Sequence, residues 1–526
     1  MKTVPVVFLE LATAVLCWSV ARFGGVLEPD RIAVPMALGI MGMAYLAVVR
    51  KKHAAPLMTG VQLWSIGLLA GLVALQLVPL PLVLVKLFSP ARAEQISALA
   101  AVLPDATTAA LTVDPQATRL ELLRLLGCLV LFFLIREISW TAGSRPWIPV
   151  LPILLVAGLE ASYGLLQRIA SHGGPITGTY VLHTHFSGFL EMALPFAAML
   201  TVRRARQPRL ASAGVIVTVV IILGILSSQS RLGFVAGIVS LGVAFTLAFW
   251  QAFRRNRIWF LIVVAVLASC AALVLLPADA FVQRYGLVAS AAKLRTEGRI
   301  GLWSETTVLI RAYPLTGCGL GAYRLAFLQF KRAWPMVTDD YAHNDYLQLL
   351  AELGGIGFTL AIGLMLWLTL KSVQTALWSD DADNRLRSAA CAGGLTAIGL
   401  HSLGDFNLYI PANALLLSWI SALASLPAPA QHPQRPATTA SETRSNQNVP
   451  WILLSNLLEG LRTTCTATRR VGITIENVRS IWRHSCVPSC GSVRTSSRDG
   501  DSASNTLRRT PSSVVTSLVR THAVRR

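Results

Sequence analysis

The feature that most constrains this chain is a series of apolar runs, each nearly long enough to cross a bilayer, recurring through the first 425 residues. A helix rises ~1.5 Å per residue and the hydrocarbon layer is ~30 Å thick, so a span needs ~20 residues. Runs approaching that length lie at about 5–21, 32–49, 63–84, 120–137, 147–167, 186–202, 210–228, 232–250, 258–277, 346–370, 386–404 and 408–426. Lipid offers the backbone no hydrogen bonds, so each run is expected to be helical. The predicted fold is an all-α polytopic membrane protein of about twelve transmembrane helices. Composition agrees: 54% of residues are hydrophobic and 14% charged, against roughly 25% charged in a soluble protein. A disordered chain, a disulfide-rich secreted module and a cytosolic enzyme are thereby excluded. The first run has the charge and length of a signal peptide, but no small-residue cleavage site precedes a soluble domain, so it reads as an anchor.

The net charge of +20 is divided unevenly. Residues 431–526 hold 14 Arg, no Lys and five acids. In the rest, Lys and Arg follow the loops, a pattern that reports topology rather than nucleic-acid binding. With the N-terminus inside, one side collects 16 short-loop cations, among them Arg50, Lys51, Lys52, Arg136, the 203–209 arginines, Lys371, Arg385 and Arg387. The other side has seven: Arg22, Arg31, Lys86, Arg92, Arg119, Arg168 and Arg231. Both termini are therefore expected in the cytoplasm, and the long 278–345 loop outside. That loop carries eight basic residues, and 302–313 has helical spacing. Residues 1–426 read as the membrane domain and 427–450 as a Pro-, Gln-, Ser- and Thr-rich linker. Residues 451–526 read as an Arg-, Ser- and Thr-rich tail expected to be disordered. Cys486 and Cys490 lack a second metal-ligating pair, and no disulfide framework is visible.

Ionisable residues near span ends are candidates for function, because charge in a membrane is costly. Four gather on the predicted outer side: Arg231 in SSQSRLGF, Arg299 in TEGRIGLW, His343 in YAHNDYLQLLAELGGIGF and Asp405 in HSLGDFNLYIP. Each has a plain structural reading. Arg231 can snorkel, Arg299 can be a solvated loop charge, His343 with Asn344 and Asp345 can cap a helix, and Asp405 can pair or cap. Glu191 and Glu352 lie in apolar segments and are expected to hydrogen-bond inside the bundle, with Glu352 close enough in sequence to orient His343. His183 and His185 resemble a metal pair without further ligands nearby. The glycines 317, 319 and 321 resemble a dinucleotide loop, but no strand precedes them.

The ordered set changes the balance. Ser230-Arg231, Gly298-Arg299 with Trp303, Pro314-x-x-Gly317-x-Gly319, His343-Asn344 followed after nine residues by Gly354-x-x-Gly357, then His401, Asp405, Asn407 and Pro411, resembles the O-antigen ligase and polymerase superfamily. Residues 178–195 and 111–123 are similar to that family too, so the resemblance covers about 110–426. It implies a C-type membrane glycosyltransferase with a large periplasmic helical loop, in the bacterial inner membrane. The implied donor is a glycan on undecaprenyl diphosphate, with a lipid A-core or other glycan acceptor, and neither metal nor other cofactor is implied. It further implies that Arg231 and Arg299 bind the donor diphosphate and that His343 activates the acceptor hydroxyl, with Asn344, Glu352 and Asp405 in support. Ligation to lipid A-core is the leading assignment; polymerisation of O-antigen or exopolysaccharide units and transfer to a protein hydroxyl share the donor site. A transporter of lipid-linked glycan is disfavoured, because no internal repeat is visible and the candidate charges collect on one side.

Reporter fusions after residues 209 and 257 should read cytoplasmic and one near residue 320 periplasmic. A cytoplasmic signal at 320 overturns the assignment of the site to the outer side.

Overall fold

A computed structural model of the chain describes residues 4–48, 55–56, 58–99, 107–143, 145–170, 175–250, 287–332 and 339–427. In order these form α1 (Val4–Ala21), α2 (Glu28–Val48), α3 (Gly60–Leu77), β1 (Leu80–Pro81), α4 (Leu82–Phe88), α5 (Pro90–Ala98), β2 (Thr108–Ala109) and α6 (Pro115–Ala142). There follow α7 (Leu151–Ala170), α8 (His183–Arg203), α9 (Pro208–Ser228), α10 (Arg231–Ala248), α11 (Leu287–Ala312), α12 (Tyr323–Phe327), α13 (Asp345–Trp378), α14 (Ala382–His401) and α15 (Pro411–Ala424). The chain divides into two units, Met1–Ala430 and Gln431–Arg526. The expected span at 258–277, most of the linker and the whole tail lie outside the described residues.

Among the described residues eight helices are long and apolar enough to cross a membrane: α1, α2, α3, α7, α8, α9, α10 and α13. The protein is therefore a mostly helical, multi-pass membrane protein. Three other expected spans are present as helices but fall outside that group. α6 carries Arg119, Glu121, Arg124, Arg136 and Glu137, α14 is rich in small and polar residues, and α15 has only 14 residues. The run at 63–84 is shorter than predicted: α3 stops at Leu77, where Pro79 and Pro81 end the helix. From there β1 pairs antiparallel with β2, Leu80 opposite Ala109.

α8 and α14 form the centre, with α9, α10, α13 and α15 packed around them. α8 is the most buried of the eight candidate spans. α14 earns its central place through small residues: Ser388 to Gly394 reads SAACAGG and is buried throughout. A Cβ on Gly393 would lie 2.7 Å from the Ser240 carbonyl of α10, and one on Gly394 2.9 Å from the Met192 carbonyl of α8. Backbones approach closely here because nothing separates them. The stretch 302–313 read as helical falls almost wholly within α11. Leu302, Leu309, Tyr313, Tyr323 and Phe327 build a small core of their own between α11, α12 and the start of α13.

α13 is broken at Gly354, where φ is 63° and ψ is −173°. A break inside an apolar helix leaves amides and carbonyls that must find partners elsewhere. The Pro314–Gly319 loop supplies them. Gly355 N donates to Pro314 O at 2.8 Å and Ile356 N to Leu315 O at 3.3 Å, while Cys318 N donates to Ala351 O at 2.9 Å and Gly319 N to Glu352 O at 3.1 Å. Buried Gln76 closes the joint from α3: its amide donates to Thr316 O at 2.7 Å and Glu352 O at 2.9 Å, and its oxygen accepts from Leu320 N at 3.0 Å. The glycines that resemble a dinucleotide loop are thus bolted to a helix break. A Cβ at Gly354 would sit 2.3 Å from Leu315 O, and one at Gly317 2.2 Å from Glu352 O.

Gly354→Ala should therefore lower the thermal-unfolding midpoint of the purified protein sharply. With ψ near 180° this positive-φ conformation is essentially confined to glycine and costs another residue about 1–3 kcal/mol, and the backbone clash adds to it. Gly363→Ala is the control, since a Cβ there meets nothing within 4 Å; it should leave the midpoint unchanged or slightly raised. Equal midpoints for both variants would remove the joint as a stability determinant.

Candidate functional site

The start of α13 is docked onto the turn between α14 and α15, and the site is built where they meet. Asn344 is the N-cap of α13: its Oδ1 accepts from Tyr346 N at 3.0 Å and Leu347 N at 3.1 Å, and its Nδ2 donates to Leu403 O at 3.0 Å. Asp345 N donates to Ser402 O at 2.9 Å and Asp405 O at 3.1 Å. Its carboxylate accepts from the Ser402 hydroxyl at 2.7 Å and Leu408 N at 3.2 Å. The capping work thus belongs to Asn344, while Asp345 ties the helix start to the 402–408 turn and His343 is left out of it. His343 instead has φ of 50°, the left-handed region that a residue with a Cβ seldom occupies. Strain of that kind collects at functional sites.

Asp405 stands in the middle of three imidazoles. His185 Nε2 and His343 Nδ1 both lie 3.6 Å from its Oδ1, and His401 Nε2 lies 3.9 Å from its Oδ2. These are ion-pair distances rather than direct hydrogen bonds. His401 Nδ1 is 2.9 Å from Glu191 Oε1, so a buried line runs Glu191–His401–Asp405–His343. Burial pushes the Asp405 carboxyl up, but His185 and His343, aided by the charge of His401, outweigh it and hold the group well below the usual carboxylate range. The three imidazoles differ in access: the side chain of His343 is 35% exposed, against 4% for His185 and 1% for His401. His343 is the member of the cluster that an outside molecule can reach.

Aromatic rings pack one flank of the cluster. Tyr341 stacks on Phe406 with centroids 4.0 Å apart, and Phe406 meets His185 and His343 edge-on at 4.6 Å and 4.9 Å. Around Asp405, buried atoms of His185, Glu191, His343, His401 and Asp405 itself lack a hydrogen-bond partner among the described residues. Polar groups of this kind are costly in a core when isolated, and here those of His185, His343, His401 and Asp405 lie within ion-pair distance of one another.

Of the residues singled out from sequence, Arg299 donates from Nη1 to Gly404 O at 3.1 Å, one residue from Asp405, and Trp303 on the same helix donates to Ala342 O at 2.9 Å. α11 thus grips both sides of the His343 site. Arg231 is exposed at the first position of α10, just after the N-cap Ser230, whose Oγ accepts from Gly233 N at 3.1 Å. Its neighbour Leu232 packs against Gly404, so the start of α10 lies beside the turn that Arg299 reaches. Glu352 is placed differently. Its carboxylate accepts from Gly321 N at 2.8 Å, the Tyr409 hydroxyl at 2.7 Å, Tyr323 N at 3.3 Å and Gln348 Nε2 at 3.3 Å. It braces the joint at the α13 break, and Asp405 is the carboxylate beside His343. Glu191 does bond inside the bundle, to His401.

Sequence reasoning missed His185 as a neighbour of Asp405, the part played by His401, and a second group formed by Arg31, Glu121 and Arg124. There Glu121 takes Arg31 at 2.9 Å and Arg124 at 2.5 Å, and Arg124 lies 5.5 Å over the Tyr409 ring. The available signal was ionisable residues inside apolar helices. Among the described residues no group of three or more His, Cys, Asp or Glu has metal-site geometry.

These features define a polytopic helical membrane protein with a histidine–carboxylate cluster open at one end, its adjoining turn held by Arg299. Residues 215–362 match the family model described as O-Antigen ligase, which supports the resemblance of this segment to the O-antigen ligase and polymerase superfamily. The matched segment holds Arg231, Arg299, His343, Asn344 and Glu352, whereas Asp405 lies beyond it. No curated protein matches the chain.

Asp405→Asn should destabilise the protein in a pH-dependent way. Its folded-state pKa is depressed, so its contribution is complete above the unfolded value of about 3.9 and is lost as pH falls through the folded value. Thermal unfolding of both forms should differ most at neutral pH and converge toward acid. A gap unchanged down to acid pH would mean that the carboxylate charge is not what stabilises the cluster.

Proposed function

We propose that the protein transfers a glycan from undecaprenyl diphosphate to a lipid A-core acceptor on the periplasmic face of the bacterial inner membrane. The reading includes a membrane domain of about twelve spans, of C-type glycosyltransferase architecture, with 278–345 as its periplasmic loop. It is carried by one observation: His343, the accessible imidazole of the cluster, lies beside a buried carboxylate and borders a turn held by Arg299.

Each group has a role that follows from its chemistry. The bond from the anomeric carbon to the diphosphate oxygen breaks, and a bond from the same carbon to the acceptor oxygen forms. Undecaprenyl diphosphate leaves with the electron pair, and the developing charge needs cations. Arg231 and Arg299 supply planar guanidinium groups that can bind phosphate oxygens in pairs, and a partly dry site makes that stabilisation stronger than in water. The proton of the acceptor hydroxyl goes to His343. With Nδ1 turned toward anionic Asp405, the proton of the neutral ring is held on that side and Nε2 is left as the base. Asn344 fixes the start of α13, and Glu352 acts through the joint rather than on the imidazole.

His343→Asn tests this without disturbing the backbone, because Asn tolerates the left-handed region. With purified protein, lipid-linked donor and acceptor, turnover should fall about 10²–10⁴-fold, the usual contribution of a general base, while donor binding stays close to the parent. Arg299→Lys and Arg231→Lys should instead weaken donor binding, since an ammonium lacks the guanidinium fork. Parent-rate transfer by the Asn variant at normal protein levels sinks the assignment of His343. A product of extended glycan chains with no lipid A-core attachment moves the reading to polymerase.

A further inference from the structure

The opposite end of the bundle carries a second group of buried charges. Lys371 lies 26 residues beyond Asp345 on α13, about 39 Å along a helix, on the side where the short-loop cations collect. A cavity of about 460 Å³ opens there between the entry to α3, the end of α6, α13 and the end of α15, lined by Thr59, Gln62, Arg136, Trp367, Lys371 and Gln374 among others.

Two buried or half-buried cations line it, and among the described residues no acid does. Arg136 is 5% exposed; its Nη2 donates to Pro56 O at 2.6 Å, while its Nε has no hydrogen-bond partner among the described residues. Lys371 donates to Ser425 O and lies 5.3 Å over the Trp367 ring. Lys371 also feels the positive charge of both Arg136 and Arg387, and Arg387 has a buried Nε without a partner as well. Glu137 lends its charge to Arg136 while accepting from Ala55 N at 2.9 Å, and Asp383 is paired with Arg203 and with Trp147 Nε1 at 2.7 Å, but neither acid lines the cavity. Cations that face one another in a low-dielectric setting repel, and an anion between them removes the repulsion.

We infer that this cavity binds a phosphate-type oxyanion, either the headgroup of an anionic lipid or free phosphate. Basic pockets between transmembrane helices suit such headgroups, a Trp at that level is at home at the lipid–water boundary, and the volume lies within the usual range for a small-ligand pocket. The site shares no residue with the His343 cluster, so it stands whether or not the proposed transfer reaction does.

Native mass spectrometry on the purified full chain tests it, with phosphatidylglycerol, phosphatidylcholine and inorganic phosphate as probes. Two variants are used. Lys371→Met removes the charge at similar length; Gln374→Glu places an acid at an exposed lining position while leaving the bonds of Arg136 and Lys371 in place. The wild type should retain phosphatidylglycerol over phosphatidylcholine, and each variant should weaken that retention about five- to tenfold. Inorganic phosphate that raises the wild-type unfolding midpoint at matched ionic strength, but not that of the variants, supports the oxyanion site with a soluble source. If neither anion distinguishes the wild type from Gln374→Glu, the proposal is overturned; should Lys371→Met fail to fold, the Gln374→Glu arm decides alone.

Discussion

The rest of the structure depends on the break in α13 and on the loop that satisfies it. Inside an apolar bundle an unpaired amide or carbonyl costs several kcal/mol, so a helix can open at Gly354 only where another segment is held against it. Residues 314–319 meet that condition, with Gln76 and Glu352 closing the joint from both sides. The consequence reaches beyond stability. The first turns of α13 are set in direction by this joint, and through Asn344 and Asp345 they are pinned to the turn at 402–408. His343 is thereby placed beside Asp405 by backbone hydrogen bonds at two ends, rather than by its own side-chain contacts.

Such placement answers a difficulty common to membrane sites. A charged cluster in the bundle is costly unless its members neutralise one another. Here Asp405 lies within ion-pair distance of His185, His343 and His401, and Glu191 is hydrogen-bonded to His401. The arrangement keeps most of the group buried and leaves one imidazole accessible. Arg299 reaches the same turn from α11, outside the central bundle. Sites assembled from several elements in this manner hold their geometry because each side chain leans on a separately packed helix.

The central packing explains why α14 tolerates the site. Its run of small residues allows close contact with α8 and α10, and this brings His401 at its end against Glu191. Hydropathy alone ranks α14 below the other spans, yet it is more buried than most of them. Small residues trade apolar area for close backbone contact, and in lipid that packing is what drives helix association.

Several of these features were legible in the residues themselves. The runs that became α1, α2, α7, α8, α9 and α10 were found to within a few residues, because length and apolarity are local properties that a bilayer imposes directly; α13 was found at its start but extends eight residues further. The helix start at Asn344 before α13 was similarly local. Arg231, Arg299, His343 and Asp405 stood out as charges at span ends. Their roles could not be divided from sequence. That Asn344 caps while His343 does not, that Glu352 braces a loop while Asp405 faces the imidazole, and that Glu191 bonds His401 across 210 residues follow from which helices are neighbours. Apolar helices in lipid resemble one another in periodicity, and nothing in a span's own residues names the helix it packs against. The sequence by itself determined where most of the apolar helices run and where ionisable groups interrupt them; only the tertiary structure decided which of those groups meet, because that depends on backbone contacts between segments far apart in the chain.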